Sequence, residues 1–117
     1  MLPKEKRLIR KKDFSKVQRS GRRFFEGNLQ LQCLENGQGS ARIGFAVGVR
    51  FSKKAVERNA LKRKLREIFG RELKNIKAGT DVVVSVKGKA SGKETYETLQ
   101  KKVGGLLQKS SLLIKKG

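Results

Sequence analysis

Arg58, Lys62 and Arg66 stand at i, i+4 and i+8, so on an α-helix they form one ridge of cations, with Asn59 and Arg63 on the adjoining row. Guanidinium and ammonium groups in a line suit phosphates, to which they donate charge-assisted hydrogen bonds. Like charges at this spacing repel by roughly a few tenths of a kcal/mol per pair, and a polyanion lying along the ridge removes that repulsion. The alternative is an ordinary solvated helix face. Two features weigh against it: Glu is scarce on the ridge, and thirty Lys+Arg against ten Asp+Glu give the chain a net charge of +20. Such a chain repels itself and attracts phosphate, the electrostatic footprint of a nucleic-acid binder. A membrane surface would attract the same charge, but no apolar run in the sequence is long enough to span a bilayer.

The same sequence offers little to a reacting bond. Histidine is absent and Cys33 is the single cysteine. That excludes a disulfide framework, a Cys/His zinc site and His-based acid–base chemistry. Cys33 falls in an alternating run and reads as a small core side chain rather than a nucleophile. The carboxylates, Asp13, Asp81 and eight Glu, are dispersed among basic residues and read as ion-pair partners. Asp81 opens a strand, a position that would suit a metal-dependent nuclease, but it stands without partner carboxylates. The run 87–93 mixes Gly with Lys and is not a phosphate-loop sequence. Binding and charge, not nucleophiles, are what these side chains supply.

The elements that must position the ridge follow from periodicity. A chain of 117 residues makes one domain, 1–117, with a modest core. Residues 1–12 form a basic, partly ordered arm, and the opening seven lack an apolar export signal and read as a cytoplasmic start. A short helix is expected at 13–20, capped by Asp13 and stopped by Gly21. Phe14 and Val17 share one of its faces, and Phe14 either packs in the core or stacks on a base. Strands are expected at 22–25 and 28–34, with a turn-rich loop at 36–40 joining two antiparallel strands. Residues 42–49 read as a central strand in which Gly44 and Gly48 mark close backbone approach or a bulge. The ridge helix runs from 53 to 69 and on through 73, capped by Ser52, with Leu61, Leu65, Ile68 and Phe69 as its apolar stripe. Residues 81–86 are the strongest strand signal, and strand, helix and strand in that order make a βαβ unit. A last helix over 94–109 gathers Tyr96, Leu99, Val103, Leu106 and Leu107. Its Gly104–Gly105 pair costs about 1 kcal/mol per residue relative to Ala and favours a bend or fraying there.

Residues 58–69 read Arg-Asn-Ala-Leu-Lys-Arg-Lys-Leu-Arg-Glu-Ile-Phe, which resembles the RN-x-x-KR-x-x-RE-x-F signature of the bacterial ribonuclease P protein component. The likeness covers nearly the whole chain. Arg7-Leu8, then residues 13–17 with Gly21, look like the family's first helix. Arg42-Ile43-Gly44 is similar to its central strand, Lys54-Ala55-Val56 to the start of its signature helix, and residues 79–83 to the strand that follows. This resemblance implies an α+β fold, a small α-β sandwich in the order α-β-β-β-α-β-α. Its four-stranded sheet would carry a left-handed βαβ crossover of the ribosomal-protein-like kind, against the usual hand.

The resemblance further implies an accessory subunit that partners a catalytic RNA and precursor tRNA, monomeric within the ribonucleoprotein and cytoplasmic. The RNA and its Mg²⁺ ions would hydrolyse the bond that releases the 5′ leader. RNA contacts would come from Lys53, Lys54, Arg58, Asn59, Lys62, Arg63 and Arg66. A cleft of Phe14, Val17, Gln18, Gln32 and Lys87 would hold the single-stranded leader. The family commonly has cleft aromatics where this chain has Gln18, Gln32 and Leu113, so hydrogen bonds and charge are expected to replace some stacking. Residues 49–53 are one residue longer than usual and lack the customary Gly. The rival functions are a small basic ribosomal or ribosome-assembly protein, which needs no Arg58–Glu67 spacing, and a DNA-binding protein, which needs a helix free to enter a groove.

Overall fold

The computed structural model describes residues 7–8, 10–37, 39–72, 76–89, 92 and 94–110. Helix α1 is Lys11–Ser20, strands β1, β2 and β3 are Arg22–Glu26, Leu29–Glu35 and Arg42–Ala46, α2 is Ala55–Glu72, β4 is Thr80–Val86 and α3 is Tyr96–Ser110. The expected order α-β-β-β-α-β-α is therefore the observed one. Leu113 and the tail beyond it lie outside the described residues, as does the start of the basic arm.

The four strands form one mixed sheet in the order β1-β2-β4-β3. Antiparallel pairs join β1 to β2 and β2 to β4, whereas β3 runs parallel to β4, closing the βαβ unit around α2. Two expectations change here. Residues 42–49 are not central: β3 is an edge strand that ends at Ala46, and Phe51 N–H donates to the Gly48 carbonyl as the chain turns toward α2. The loop at 36–40 does join strands of opposite direction, but β4 lies between them, so β2 and β3 are not a paired hairpin. Asn36 secures that crossing, its N–H on the Gly79 carbonyl at 2.8 Å and its side chain on Asp81 Oδ1 at 2.8 Å.

Strand alternation divides the core in two. Leu29, Leu31, Cys33, Ile43, Val82, Val84 and Val86 point to one face, under Leu61, Leu65, Ile68 and Phe69 of α2 and Leu99, Val103, Leu106 and Leu107 of α3. Phe45 meets Phe69 edge to face at 5.7 Å. On the opposite face Val83 packs with Val17 and Leu8, flanked by Phe14, Leu34 and Ala46. That second face belongs to α1, which covers only part of it. The bare edge of β3 is met by the preceding arm, where Arg7 bridges Ile43 and Leu8 N–H donates to the Ile43 carbonyl at 2.9 Å.

The helix termini also depart from expectation. Asp13 lies inside the first turn of α1, whose N-cap is Arg10 with no capping side chain. Its carboxylate faces Arg42 instead, at 3.6 Å. Ser52 precedes α2 by three positions; its hydroxyl accepts from the Lys54 N–H at 3.1 Å and donates to Glu57 at 2.6 Å. Gly21 does end α1, without a left-handed turn (φ −75°). A side chain there would press on the Val17 and Cys33 carbonyls, so the position requires a residue without one. Helix α3 runs unbroken through Gly104 and Gly105.

Candidate nucleic-acid interface

Burial of its apolar stripe fixes how α2 presents its cations. Leu65 and Phe69 are wholly buried, which turns Asn59, Arg63 and Arg66 outward and leaves Arg58 and Lys62 half-buried along the helix flank. Lys53 and Lys54 are exposed just ahead of the first turn. One member of the ridge is partly engaged: Arg58 Nη1 donates to the Ser52 carbonyl at 2.9 Å, tying the helix start to the loop before it. A guanidinium has five N–H donors, so this bond leaves most of its capacity for another acceptor.

Two hollows open beside the ridge, and Lys62 lines both. The smaller, of about 400 Å³, is walled by Arg7, Leu8, Phe14, Gly44, Lys62 and Arg66 among others. The larger, of about 540 Å³, takes Gln18, Ala46, Arg50, Lys62, Ser85 and Lys87. Together they form a trough between α1, the sheet and the flank of α2. It has a positive margin and a floor made of strand residues.

Phe14 packs in the core and also keeps surface on the trough. Its ring packs against Leu8, Val17 and Val83, and its remaining surface lines the smaller hollow. Gly44 makes this possible, because a Cβ at that position would overlap the ring. Gln18 and Lys87 are exposed and line the larger hollow. Val17 and Gln32 do not join them. Val17 has no exposed surface and sits beneath α1 in the core. Gln32 is 3 % exposed, and its Nε2 donates to the Gln18 carbonyl at 3.0 Å, so its amide braces α1 against β2. Of the two glutamines, Gln18 faces the trough and Gln32 does not.

The groups that might have suggested chemistry are otherwise occupied. Arg42 Nε and Nη2 donate to the two oxygens of Asp81 at 2.8 and 2.7 Å, and Asn36 adds a third donor. The hydrogen bond to Asp81 raises the Arg42 pKa further above its ordinary value. Cys33 is buried; desolvation pushes its thiol pKa up, while Arg22 Nη2, 4.0 Å from Sγ, pulls it partly back. Among the described residues no three His, Cys, Asp or Glu side chains gather where a metal ion could be held.

Some contributors to the trough escaped the sequence reading. The loop residues Gly48, Val49 and Arg50 line the larger hollow, and Arg7 with Leu8 walls the smaller one. Phe25, an exposed aromatic on β1 that lines neither hollow, is likewise not singled out by the sequence. A signal for it existed: consecutive Phe24 and Phe25 must point to opposite faces of a strand, so both cannot enter one core.

A cationic helix flank beside a trough with an aromatic wall, on a small α+β scaffold, is the class of surface found on RNA-binding domains. The family model described as Ribonuclease P matches residues 2–111. The ribonuclease P protein component of Pseudanabaena sp. (strain PCC 6903) is 40% identical over 114 residues, spanning 97% of each chain. That of Synechocystis sp. (strain ATCC 27184 / PCC 6803 / Kazusa) is 40% identical over 86 residues, 73% of this chain and 69% of the relative. The RNase P protein of Thermotoga maritima superposes with a TM-score of 0.75 at 29% identity, covering 88% of this chain and 96% of that one. The protein from Staphylococcus aureus, at 20% identity, shares the fold with a TM-score of 0.81 over 93% of this chain and 98% of that one. The chain belongs to the ribonuclease P protein family and is an accessory subunit of that tRNA-processing endoribonuclease.

Proposed function

We propose that the chain uses the flank of α2 to grip the catalytic RNA subunit and the trough beside α1 to hold the 5′ leader of precursor tRNA. Lys53, Lys54, Arg58, Asn59, Lys62, Arg63 and Arg66 form the first surface; Phe14, Gln18 and Lys87 face the leader. The observation that carries this reading is Lys62, which belongs to the ridge and lines both hollows. One cation there meets both RNAs where they converge, so the protein fixes the leader relative to the RNA that cleaves it. Catalysis by positioning fits a chain whose carboxylates are paired or dispersed. Mg²⁺, when present, supplies Lewis-acid chemistry from sites on the RNA subunit, and no protein residue is assigned to it. The chain acts in the cytoplasm, as one copy within the ribonucleoprotein; among the described residues no helix is long and apolar enough to cross a membrane.

Purification of the tagged protein from cells, followed by sequencing of the bound RNA, tests the proposal. One dominant structured RNA outside the ribosome, accompanied by precursor tRNAs, is expected. Ribosomal RNA in its place would return the rival ribosome-assembly reading.

A further inference from the structure

Six Phe and one Tyr are all the aromatics in the chain. Phe51 and Phe69 are buried in the main core, and Phe24 and Phe45 pack against it. Tyr96 sits beside α2 with Lys64 Nζ 5.9 Å from its ring centre. Phe14 and Phe25 remain, and both stand on the α1 face of the sheet. Phe25 is placed there by register, opposite Gln30, which pairs with Ser85, which pairs with Ala46. These four residues form one row across the sheet on a single face. Its Ala46 and Ser85 end floors the larger hollow. Three strand spacings separate Ala46 from Phe25, roughly 14 Å.

A single exposed aromatic needs no explanation in general. Phe25 differs in three respects. It is 53 % exposed although it lies within its strand and is paired in the ladder opposite Gln30. Its backbone is pinned from behind, since Lys109 Nζ donates to the Phe25 carbonyl at 2.8 Å and also meets the Glu26 carboxylate at 2.7 Å. Its neighbour on the same face is Arg23, exposed and set against the end of α1 by a 3.3 Å bond to the Gln18 carbonyl. An exposed ring beside a cation, on the same sheet face as a cationic trough, can stack a base. Gln30 and Ser85 between the two are only 5 % and 7 % exposed, so the strand to be stacked passes above them and rests on the ring.

We infer that the leader track extends across the sheet from the trough to Phe25, which stacks a leader base several positions from the Lys62 end, while Arg23 meets its phosphate. The inference rests on the leader reading of the trough. It assigns Phe25 part of the stacking that glutamines at positions 18 and 32 cannot supply.

The test measures affinity of the reconstituted RNA–protein holoenzyme for precursor tRNAs with leaders of one nucleotide and of eight or more. The readout is the gain in affinity from the longer leader, for wild type, Phe25→Ala, Phe25→Leu, Phe25→Trp and Lys87→Ala. Phe25→Ala and Phe25→Leu are expected to lose about 5- to 150-fold of that gain, the worth of one stacked base, and Phe25→Trp to keep it. If Phe25→Ala keeps the full gain while Lys87→Ala reduces it, the extension to Phe25 is overturned and the trough reading stands. If Phe25→Leu keeps the gain, the ring does not stack. An equal loss on both substrates would place Phe25 against the RNA subunit or the tRNA body and overturn the inference. Absence of any leader-dependent gain in wild type would remove the trough reading with it.

Discussion

The ring of Phe14 rests on the Cα of Gly44, in the space that a side chain at position 44 would fill. This contact joins α1 to the edge strand β3 and sets the height of the trough's aromatic wall. Gly44→Ala must push the ring aside, at an expected cost of about 1–3 kcal/mol. In a Phe14→Ala background the same change has nothing to displace and should be nearly free. A double-mutant cycle by chemical denaturation therefore predicts a coupling of about 1–3 kcal/mol. Additive effects would show that the ring does not depend on the missing side chain.

The ridge on α2 predicts a change in salt dependence without a change in fold. Lys62→Ala/Arg66→Ala is the cleaner variant, because Arg58 also holds the Ser52 carbonyl and its loss would loosen the helix start. Each phosphate contact removed should lower the log–log salt slope of RNA binding by roughly 0.7 on a single strand and roughly 0.9 on duplex. A melting curve like that of wild type is expected beside the lower slope. A slope unchanged in the double variant would make the ridge a solvated face.

The sequence revealed the ridge and the element order more readily than the lateral position of the strands. Residues 43–46 are apolar without interruption because β3 meets apolar neighbours on both faces: Ile43 and Phe45 in the core beneath α2, Gly44 and Ala46 beside Phe14 and the smaller cluster at the margin of the trough. Continuous apolar character reports cover above and below, not a strand on either side. An edge strand with apolar neighbours on both faces reads like a central one, more so when Arg7 and Leu8 also occupy its free margin. The loop at 36–40 carried a turn signal, but turn residues do not say which strand will pair. That was settled by β4, which arrives only after α2. Val17 and Gln32 have side chains compatible with a cleft, and the depth at which α1 docks decided against both. Phe25 went unread for the opposite reason: its neighbour Phe24 supplies the core contact, and only the strand register sends Phe25 to the other side.

The two consecutive glycines of α3 predict opposite outcomes. A Cβ at Gly104 meets nothing, so Gly104→Ala should stabilise by about 0.5–1 kcal/mol through helix propensity. A Cβ at Gly105 would lie 2.7 Å from Glu26 Oε2, the oxygen that pairs with Lys109. That carboxylate can swing away, and an ion pair this exposed contributes little. The propensity gain is then offset by a shifted β1–α3 contact, and Gly105→Ala should fall near neutral. Thermal melting separates them: a rise of several degrees for the first variant only. Equal rises would mean that Glu26 sets no limit on the approach of α3.

Phe14 carries a prediction in which stability and binding both move. A fully buried Phe cut to Ala costs about 3–5 kcal/mol. Phe14 is half-buried, with one side on Leu8, Val17 and Val83 and another on the hollow, so Phe14→Ala should lose about 2 kcal/mol and still fold. If the exposed side stacks a leader base, a further ~1–3 kcal/mol disappears from binding. That second loss should appear on a precursor tRNA with a long leader and be absent on one without. Phe14→Leu separates the two parts, restoring most of the packing while leaving no ring to stack. Melting curves and affinities for the two substrates, measured on both variants, give four numbers that must agree. Restored stability with the leader-specific loss intact is the expected pattern. Recovery of both together in Phe14→Leu would show that Phe14 acts on the leader only by holding α1 in place.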